Sequence, residues 1–169
     1  FSVRAVHCDH RASDEEVYQS LVRATAPLSR AWDKLQKADR IAIKFNMAHL
    51  KVPQFEGRRR ELVDEATARA VLRLLRERTT ASLVATDTHG FNAAGELSPY
   101  LNYLHLLQEF GVEYAESNLA PFAEYEVPGG GYMFQRYTLN ECFREADEVI
   151  SVAKMKNHGF KGLTLCTKN

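Results

Sequence analysis

The chain has 169 residues, of which 45% are hydrophobic and 26% are charged, and this composition is typical of a soluble globular protein. Its 22 basic and 22 acidic residues give a formal net charge of zero, so no global field attracts nucleic acid or an anionic membrane. No apolar run approaches the roughly 20 residues of a membrane span and no signal peptide is visible, which favours a cytoplasmic protein. We expect one domain over residues 1–169 that is incomplete at its C-terminal end, because the sequence stops at Asn169 without a turn or a tail.

The three cysteines, Cys8, Cys142 and Cys166, are widely spaced and odd in number. No C-x-x-C pair occurs in the sequence. This pattern argues against a disulfide scaffold, a zinc ribbon or an iron–sulfur cluster within this segment. It predicts buried free thiols.

The N-terminal part of the chain predicts a short strand and two helices. Ser2–His7 alternates weakly between apolar and polar residues and is interpreted as a first strand. Ser13 and Glu16 have the spacing of a capping box, so a helix should begin at this point. Pro27 kinks or restarts that helix, and an apolar stripe containing Trp32 continues beyond it.

The middle of the chain predicts two buried strands, Ile41–Asn46 and Ser82–Thr86. Residues 48–60 between them are loop-like. The run Arg58–Arg60 in this loop is interpreted as a solvated surface cluster, with a phosphate or carboxylate contact as the alternative. An amphipathic helix from Leu62 to Arg76 follows the loop.

The remaining elements alternate between helix and strand and include one hairpin. They are a helix over Pro99–Phe110, a strand over Val112–Ala115, an antiparallel hairpin of Glu124–Val127 with Tyr132–Tyr137, a helix over Leu139–Ala146, and a terminal strand after Glu148. Strands separated by helices of this length imply βαβ crossovers. We therefore predict an α/β fold: a three-layer αβα arrangement with a mainly parallel sheet and an added antiparallel hairpin.

Three of the predicted strands end in two polar side chains that are two residues apart. In chain order the pairs are Lys44 and Asn46, Asp87 and His89, and Lys154 and Lys156, with His158 after the last pair. Residues two apart in a strand share a face, and ligands of open α/β sheets bind outside the carboxyl ends of the strands. We therefore expect these side chains to converge on one crevice.

The three lysines of this crevice would repel one another without a counter-charge. Asp87 supplies one negative charge, and a bound phosphate or carboxylate would supply more. Gly159 and Gly162 would allow backbone N–H groups to approach an anion closely. Crowding also lowers lysine pKa values, which would create a nucleophile or general base, and the sequence leaves open which of the lysines is affected. A metal site of Asp87, His89 and His158 is the weaker alternative, because neighbouring lysines oppose a cation.

Two segments of the chain resemble the signature blocks of the domain-of-unknown-function family 362. They are Ile41–Asn46, with the sequence I-A-I-K-F-N, and the terminal block A-D-E-V-I-S-V-A-K-M-K-N-H-G-F-K-G-L-T-L-C-T-K-N. The family pattern is an apolar run with I-K-P-N, and later P-K-l-K-t-H followed by T-x-x-x-K-N. Phe45 and Ala153 stand where the family usually has proline.

The resemblance implies an α/β domain and supports the polar groups of the two blocks as site residues. These are Lys44, Asn46, Lys154, Lys156, His158, Lys168 and Asn169. Many members of the family also carry four-iron ferredoxin modules, and some carry twin-arginine export signals. This segment contains neither motif.

The leading functional hypothesis is a cationic crevice that binds an anionic small molecule of phosphate or carboxylate type. Its ligand-binding residues would be Lys44, Asn46, Lys154, His158, Gly159, Lys168 and Asn169, and its catalytic candidates Asp87, His89 and Lys156. The first alternative is a redox or metal-associated domain that works with an iron–sulfur partner supplied elsewhere. The second is a non-catalytic protein-interaction domain that uses the aromatic residues of the Glu124–Tyr137 hairpin. The cofactor, the substrate and the oligomeric state are left open.

Overall fold

The computed structural model describes residues 3–47, 52–88, 103–158, 162–164 and 166. Its helices are α1 (Asp14–Thr25), α2 (Ser29–Leu35), α3 (Glu65–Arg78), α4 (Leu104–Glu109) and α5 (Cys142–Glu145). Its strands are β1 (Arg40–Phe45), β2 (Gln54–Phe55), β3 (Arg58–Arg59), β4 (Ser82–Asp87), β5 (Glu113–Glu116), β6 (Phe122–Glu126), β7 (Arg136–Asn140), β8 (Glu148–Val152), β9 (Lys156–His158) and β10 (Gly162–Thr164).

Four parallel strands form the central sheet, in the order β5–β4–β1–β8. The register places Lys44 of β1 opposite Thr86 of β4 on one side and Ser151 of β8 on the other. Three short antiparallel pairs accompany the sheet: β2–β3, β6–β7 and β9–β10. The predicted α/β fold, with a mainly parallel sheet and an antiparallel hairpin, is confirmed. Because the four strands are parallel, their carboxyl ends lie along the same edge of the sheet.

One face of the sheet carries most of the hydrophobic core. Ile41, Ile43 and Phe45 of β1 point to this face, since alternate residues of a strand share a face. Buried residues of α1, α3 and α4 pack against them, including the fully buried Leu72 of α3. This face, which we call the large-core face, therefore supplies most of the apolar burial of the fold.

The opposite face, the small-core face, is covered much less completely. Ala42 and Val84 form its buried centre together with Cys142 of α5, and Phe143 packs there while remaining partly exposed. Because α5 has only four residues, it covers only part of this face. Helices thus lie on both faces, as the three-layer prediction requires, but the third layer is thin.

The start of α1 confirms the predicted capping box. The backbone N–H of Ser13 donates to Oε2 of Glu16 at 2.7 Å, and the N–H of Glu16 donates to Oγ of Ser13 at 3.3 Å. Helix α1 packs on α3, where the guanidinium of Arg73 lies 3.7 Å from the ring centroid of Tyr18. Pro27 stands between α1 and α2, as its helix-breaking chemistry predicts.

The predicted first strand at Ser2–His7 is wrong for the part that the structure describes. Residues 3–7 have no regular secondary structure, and the apolar residues Val3 and Val6 are 92% and 39% exposed. A weak alternation without a buried face does not form a strand, because no apolar burial offsets the conformational entropy lost on ordering the segment.

Two boundaries near the hairpin also differ from the prediction. The second strand of the hairpin begins at Arg136 instead of Tyr132, which is fully exposed. Leu139 and Asn140 end that strand instead of opening a helix, because the backbone of Asn140 pairs with Phe122. Helix α5 therefore begins only at Cys142.

The interpretation of the arginine run as a solvated cluster holds only for Arg60, which is exposed. The Arg58 side chain pairs with Asp64, and the Arg59 guanidinium lies 4.3 Å from the ring centroid of Tyr103. Both side chains are mostly buried because these contacts hold the β2–β3 hairpin against the start of α3.

All three cysteines are free thiols, as predicted, but Cys8 and Cys166 are exposed and Cys142 alone of the three is buried. The prediction of burial is wrong for Cys8 because it lies in the irregular N-terminal segment, which has no buried face. None of the described helices has the length and apolar character that crossing a bilayer would take.

Candidate functional site

Lys44 and Asp87 form an ion pair at the carboxyl edge of the sheet. Nζ of Lys44 lies 2.7 Å from Oδ1 of Asp87 and also donates to the carbonyl oxygen of Phe45 at 2.8 Å. The Lys44 and Asp87 side chains are only 18% and 9% exposed. Two of the residues predicted to converge are therefore in direct contact, because β1 and β4 are parallel neighbours.

Both carboxylate oxygens of Asp87 accept hydrogen bonds. The N–H of Met47 donates to Oδ2 at 2.7 Å, and the N–H of Thr88 donates to Oδ1 at 2.8 Å. The carboxylate thus joins the segment after β1 to the segment after β4 and fixes the position of the Lys44 ammonium. A buried carboxylate needs such donors, since burial without them is expensive.

Tyr114 extends this network to β5. Its single hydroxyl proton is shared between two acceptors, Oε2 of Glu116 at 2.9 Å and the carbonyl oxygen of Asp87 at 3.2 Å. Burial of the phenol, reinforced by the nearby Glu116 carboxylate, raises the pKa of Tyr114 far above its usual value. The hydroxyl therefore keeps its proton and remains a donor at every physiological pH.

A cavity of about 500 Å³ lies at this edge, and we call it the strand-edge cavity. Lys44, Thr88, Ser117 and Ser151 line it, one from the carboxyl-terminal end of each of the four parallel strands or the residue just after it. The remaining lining residues are Leu139, Asn140, Phe143, Val149 and Cys166. The cavity lies on the small-core face, where Phe143 and Ala42 are the neighbouring apolar groups.

Lys154 lines a different cavity, of about 780 Å³, between the N-terminal segment and α1. We call it the N-terminal cavity. Lys154 lies two residues after the end of β8, and the cavity that it lines is bordered by Val17 and Leu21 of α1, which pack against the large core. Lys44, by contrast, shares its face with Ala42. The two lysines that were expected to meet in one crevice thus line two cavities.

Comparison with protein families matches residues 41–169 to the family described as Domain of unknown function (DUF362). The chain belongs to this family. No curated protein and no solved structure matches the chain significantly. Both segments that carried the resemblance lie within the matched region, so the family assignment made from them is confirmed.

The DUF362 region also contains the other residues predicted for the site. Oδ1 of Asn46 is buried and has no hydrogen-bond partner among the described residues. Lys156 opens β9, four residues after the end of β8, and its backbone pairs with Thr164. His158 closes β9 opposite Gly162. The other predicted positions, His89, Gly159, Lys168 and Asn169, lie outside the described residues, and their roles stay predictions.

The described part of the DUF362 region shows no group of three or more histidine, cysteine, aspartate or glutamate side chains arranged around a common point. Two of the three residues of the alternative metal set, His89 and the side chain of His158, are not among the described groups. Asp87, the third residue of that set, forms an ion pair with Lys44.

Thr88, Ser117 and Ser151 line the cavity although none of them was among the residues predicted for the site. Ser117 directly follows β5, just as Thr88 directly follows β4, so the strand-end rule applied to β5 would have identified it. Ser151 could be identified only from the register, because it faces Lys44 across the β1–β8 pair. Hydroxyl residues at strand ends are therefore a usable signal for this site, in addition to charged groups and amides.

Proposed function

We propose that this DUF362 domain binds an anionic small molecule in the strand-edge cavity. The observation that carries the proposal is that all four parallel strands contribute a residue at or just after their carboxyl ends, namely Lys44, Thr88, Ser117 and Ser151, to one cavity. Ligands of open α/β sheets bind at this edge.

The chemistry of the lining favours an anion. Lys44 is a cation, and no carboxylate is among the described residues that line the cavity. Asp87 neutralises part of the lysine charge, so the ligand also depends on the hydroxyl groups of Thr88, Ser117 and Ser151. Leu139, Phe143 and Val149 form an apolar wall, which would accept the uncharged body of the ligand.

In this proposal Asp87 positions Lys44, since its oxygens already accept hydrogen bonds from Met47 and Thr88. Lys156, His158, Lys168 and Asn169 are proposed to contact the ligand from the segments that follow β8. Lysines and glycines that follow a buried strand favour an anion, because the lysines supply charge and the glycines allow backbone N–H groups to approach it.

A pair of substitutions at Ser151 tests the proposal. Ser151 is exposed and lies on an edge strand, so both Ser151→Glu and Ser151→Gln should fold. The probes are inorganic phosphate, pyrophosphate, citrate and AMP, and the readout is the rise in Tm. A ligand at about 100 times its Kd adds about 2.7 kcal/mol to the free energy of unfolding.

We expect at least one of these anions to raise the Tm of the unmodified chain. The Ser151→Glu carboxylate should abolish that rise by repulsion, whereas the neutral Ser151→Gln side chain of similar size should retain most of it. Equal responses from the two variants would contradict the proposal, as would an unmodified chain that responds to none of the four anions.

A further inference from the structure

The N-terminal cavity has the features of a second ligand site, separate from the strand-edge cavity. Its volume of about 780 Å³ lies within the range of small-molecule sites. We propose that it binds an anionic amphiphile, that is, a carboxylate or phosphate head on an apolar body, and that Lys154 contacts the head. This inference does not depend on the proposed function, because Lys154 and Arg4 line this cavity and not the other.

The cavity is walled by two different kinds of structure. Its inner wall is α1, which presents the partly buried apolar side chains of Val17, Leu21 and Ala24. Its outer wall is the irregular segment of residues 4–10. Ala153–Met155, just after β8, forms one end, and Met155 is 70% exposed. The walls therefore offer apolar surface that an inorganic ion would leave exposed to water and that an apolar ligand body would cover.

Cations outnumber carboxylates among the residues that line this cavity. The cations are Arg4, Arg58 and Lys154, and the carboxylates are Asp9 and Asp64; His10 also lines the cavity. Arg58 pairs with Asp64 and donates to two backbone carbonyl groups, so these two side chains are occupied. Asp9 accepts a hydrogen bond from the N–H of Arg11 at 2.8 Å.

Arg4 and Lys154 have no hydrogen-bond or ion-pair partner among the described residues. Lys154 is also partly buried. A bound anion would supply the counter-charge that these two cations lack among the described residues. This is the physical reason to assign the head of the amphiphile to Lys154, with Arg4 as the second cation.

The turn at Glu56 holds the outer wall in place. Its carboxylate accepts hydrogen bonds from Nε and Nη2 of Arg11 at 2.8 and 2.9 Å, and it lies 2.6 Å from Nε2 of His10. Glu56 has a φ of 48°, in the left-handed region that Gly and Asn tolerate better. The chain thus keeps a strained glutamate at a position where its side chain fixes the segment over the cavity.

Calorimetric titration of the full chain with four probes tests the inference. Octanoate and octyl phosphate carry the proposed head and body, octanol lacks the charge, and inorganic phosphate lacks the body. We expect the two amphiphilic anions to bind at least about tenfold more tightly than octanol, which corresponds to a single charge-assisted hydrogen bond. We expect a similar advantage over inorganic phosphate, because burial of the octyl chain adds apolar contact that phosphate cannot make. Equal affinity for octanol, or for inorganic phosphate, would overturn the inference.

Three variants locate the binding. Lys154→Gln should weaken octanoate binding by about tenfold, whereas Lys37→Gln, at an exposed lysine that does not line the cavity, should not. Ala24→Leu keeps every charge and a good helix former but fills the cavity, so it should abolish binding. Unchanged affinity in both Lys154→Gln and Ala24→Leu would overturn the inference.

Ser151→Glu separates this site from the strand-edge cavity. The variant should leave octanoate binding unchanged, because Ser151 does not line the N-terminal cavity. Loss of octanoate binding in Ser151→Glu would place the ligand in the strand-edge cavity and overturn the second site. Loss of the rise in Tm with phosphate or citrate in the same variant would support anion binding in the strand-edge cavity and would not bear on the second site.

Discussion

The strand-edge cavity and the N-terminal cavity both contain a lysine, but they are built in different ways. The first lies among the ends of four hydrogen-bonded strands, and its lysine is held by the buried carboxylate of Asp87. The second has one wall without regular secondary structure, which is attached by exposed side chains around Glu56 and, at its C-terminal end, by hydrogen bonds from Arg58 to the carbonyl oxygens of His10 and Ala12. The position of Lys44 therefore depends on the global fold, whereas the position of the outer wall depends on a few local side-chain contacts.

The contacts of the first region should break in global unfolding, whereas those of the second should break in local opening. Contacts of the buried Lys44–Asp87 pair are lost only when the central sheet is lost, so they should report on global unfolding. Arg11 and His10 are 72% and 50% exposed, so their contacts with Glu56 should open locally and respond to pH. Variants of the two regions should therefore affect different observables.

Asp87→Ala should have the largest effect on stability. It leaves the Lys44 ammonium without its carboxylate and the N–H groups of Met47 and Thr88 without their acceptor. Removing one partner of a buried pair costs about 3–5 kcal/mol, so the free energy of unfolding in urea should fall by that amount. Asp87→Asn, which keeps one acceptor oxygen, should lose less. A loss below about 1 kcal/mol in Asp87→Ala would mean that the strand ends are held by other contacts.

Ser13→Ala should have a smaller but still global effect. Ser13 caps α1, the inner wall of the N-terminal cavity, through the hydrogen bonds of the capping box. Loss of an N-cap side chain costs about 1 kcal/mol, measured by urea unfolding. Ser29→Ala is the matched control, because Ser29 is the first residue of α2 and makes no cap hydrogen bond; it should stay within about 0.5 kcal/mol. Equal losses in the two variants would contradict the capping role.

The sequence predicted the core of the fold because that part follows local rules. Continuous apolar runs mark β1 and β4, and the helix lengths between strands imply parallel crossovers. The Ser13–Glu16 spacing predicted the start of α1, since a capping box is a local arrangement. The meeting of Lys44 and Asp87 followed from these two strands alone.

The division of the site into two cavities did not follow from local rules. The spacing of Lys154 and Lys156 assumed that the last strand continued, whereas β8 ends at Val152 and a separate antiparallel pair follows. The face of each lysine depends on the register, in which Lys44 lies opposite Ser151. Register is set by long-range packing, so residue spacing within one segment cannot supply it.

Glu56→Gln should loosen the outer wall without changing global stability. The neutral amide loses the ion pair with Arg11 and weakens the hydrogen bond with His10, so trypsin should cleave after Arg4 and Arg11 several-fold faster. The Tm should stay nearly unchanged, because all three side chains are substantially exposed. Glu61→Gln, at an exposed glutamate outside this cluster, is the matched control and should not change the cleavage rate. A large fall in Tm would show that the segment belongs to the global fold.

The smallest expected effect is a pH dependence of the same wall. Hydrogen bonds from Arg11 and then from His10 lower the pKa of Glu56 from 4.5 to about 2. Since the pKa is lower in the folded chain, the stabilisation from these contacts is complete above pH 4.5 and declines as the pH falls from 4.5 through about 2, where the carboxylate itself becomes protonated. The side-chain Nε–H resonance of Arg11, followed by NMR, should therefore titrate with a midpoint near pH 2, with Asp9 and His10 as the other charged groups close by. Glu56→Gln should remove this transition, and a midpoint at the ordinary value of 4.5 in the unmodified chain would show that the carboxylate does not hold the segment in solution.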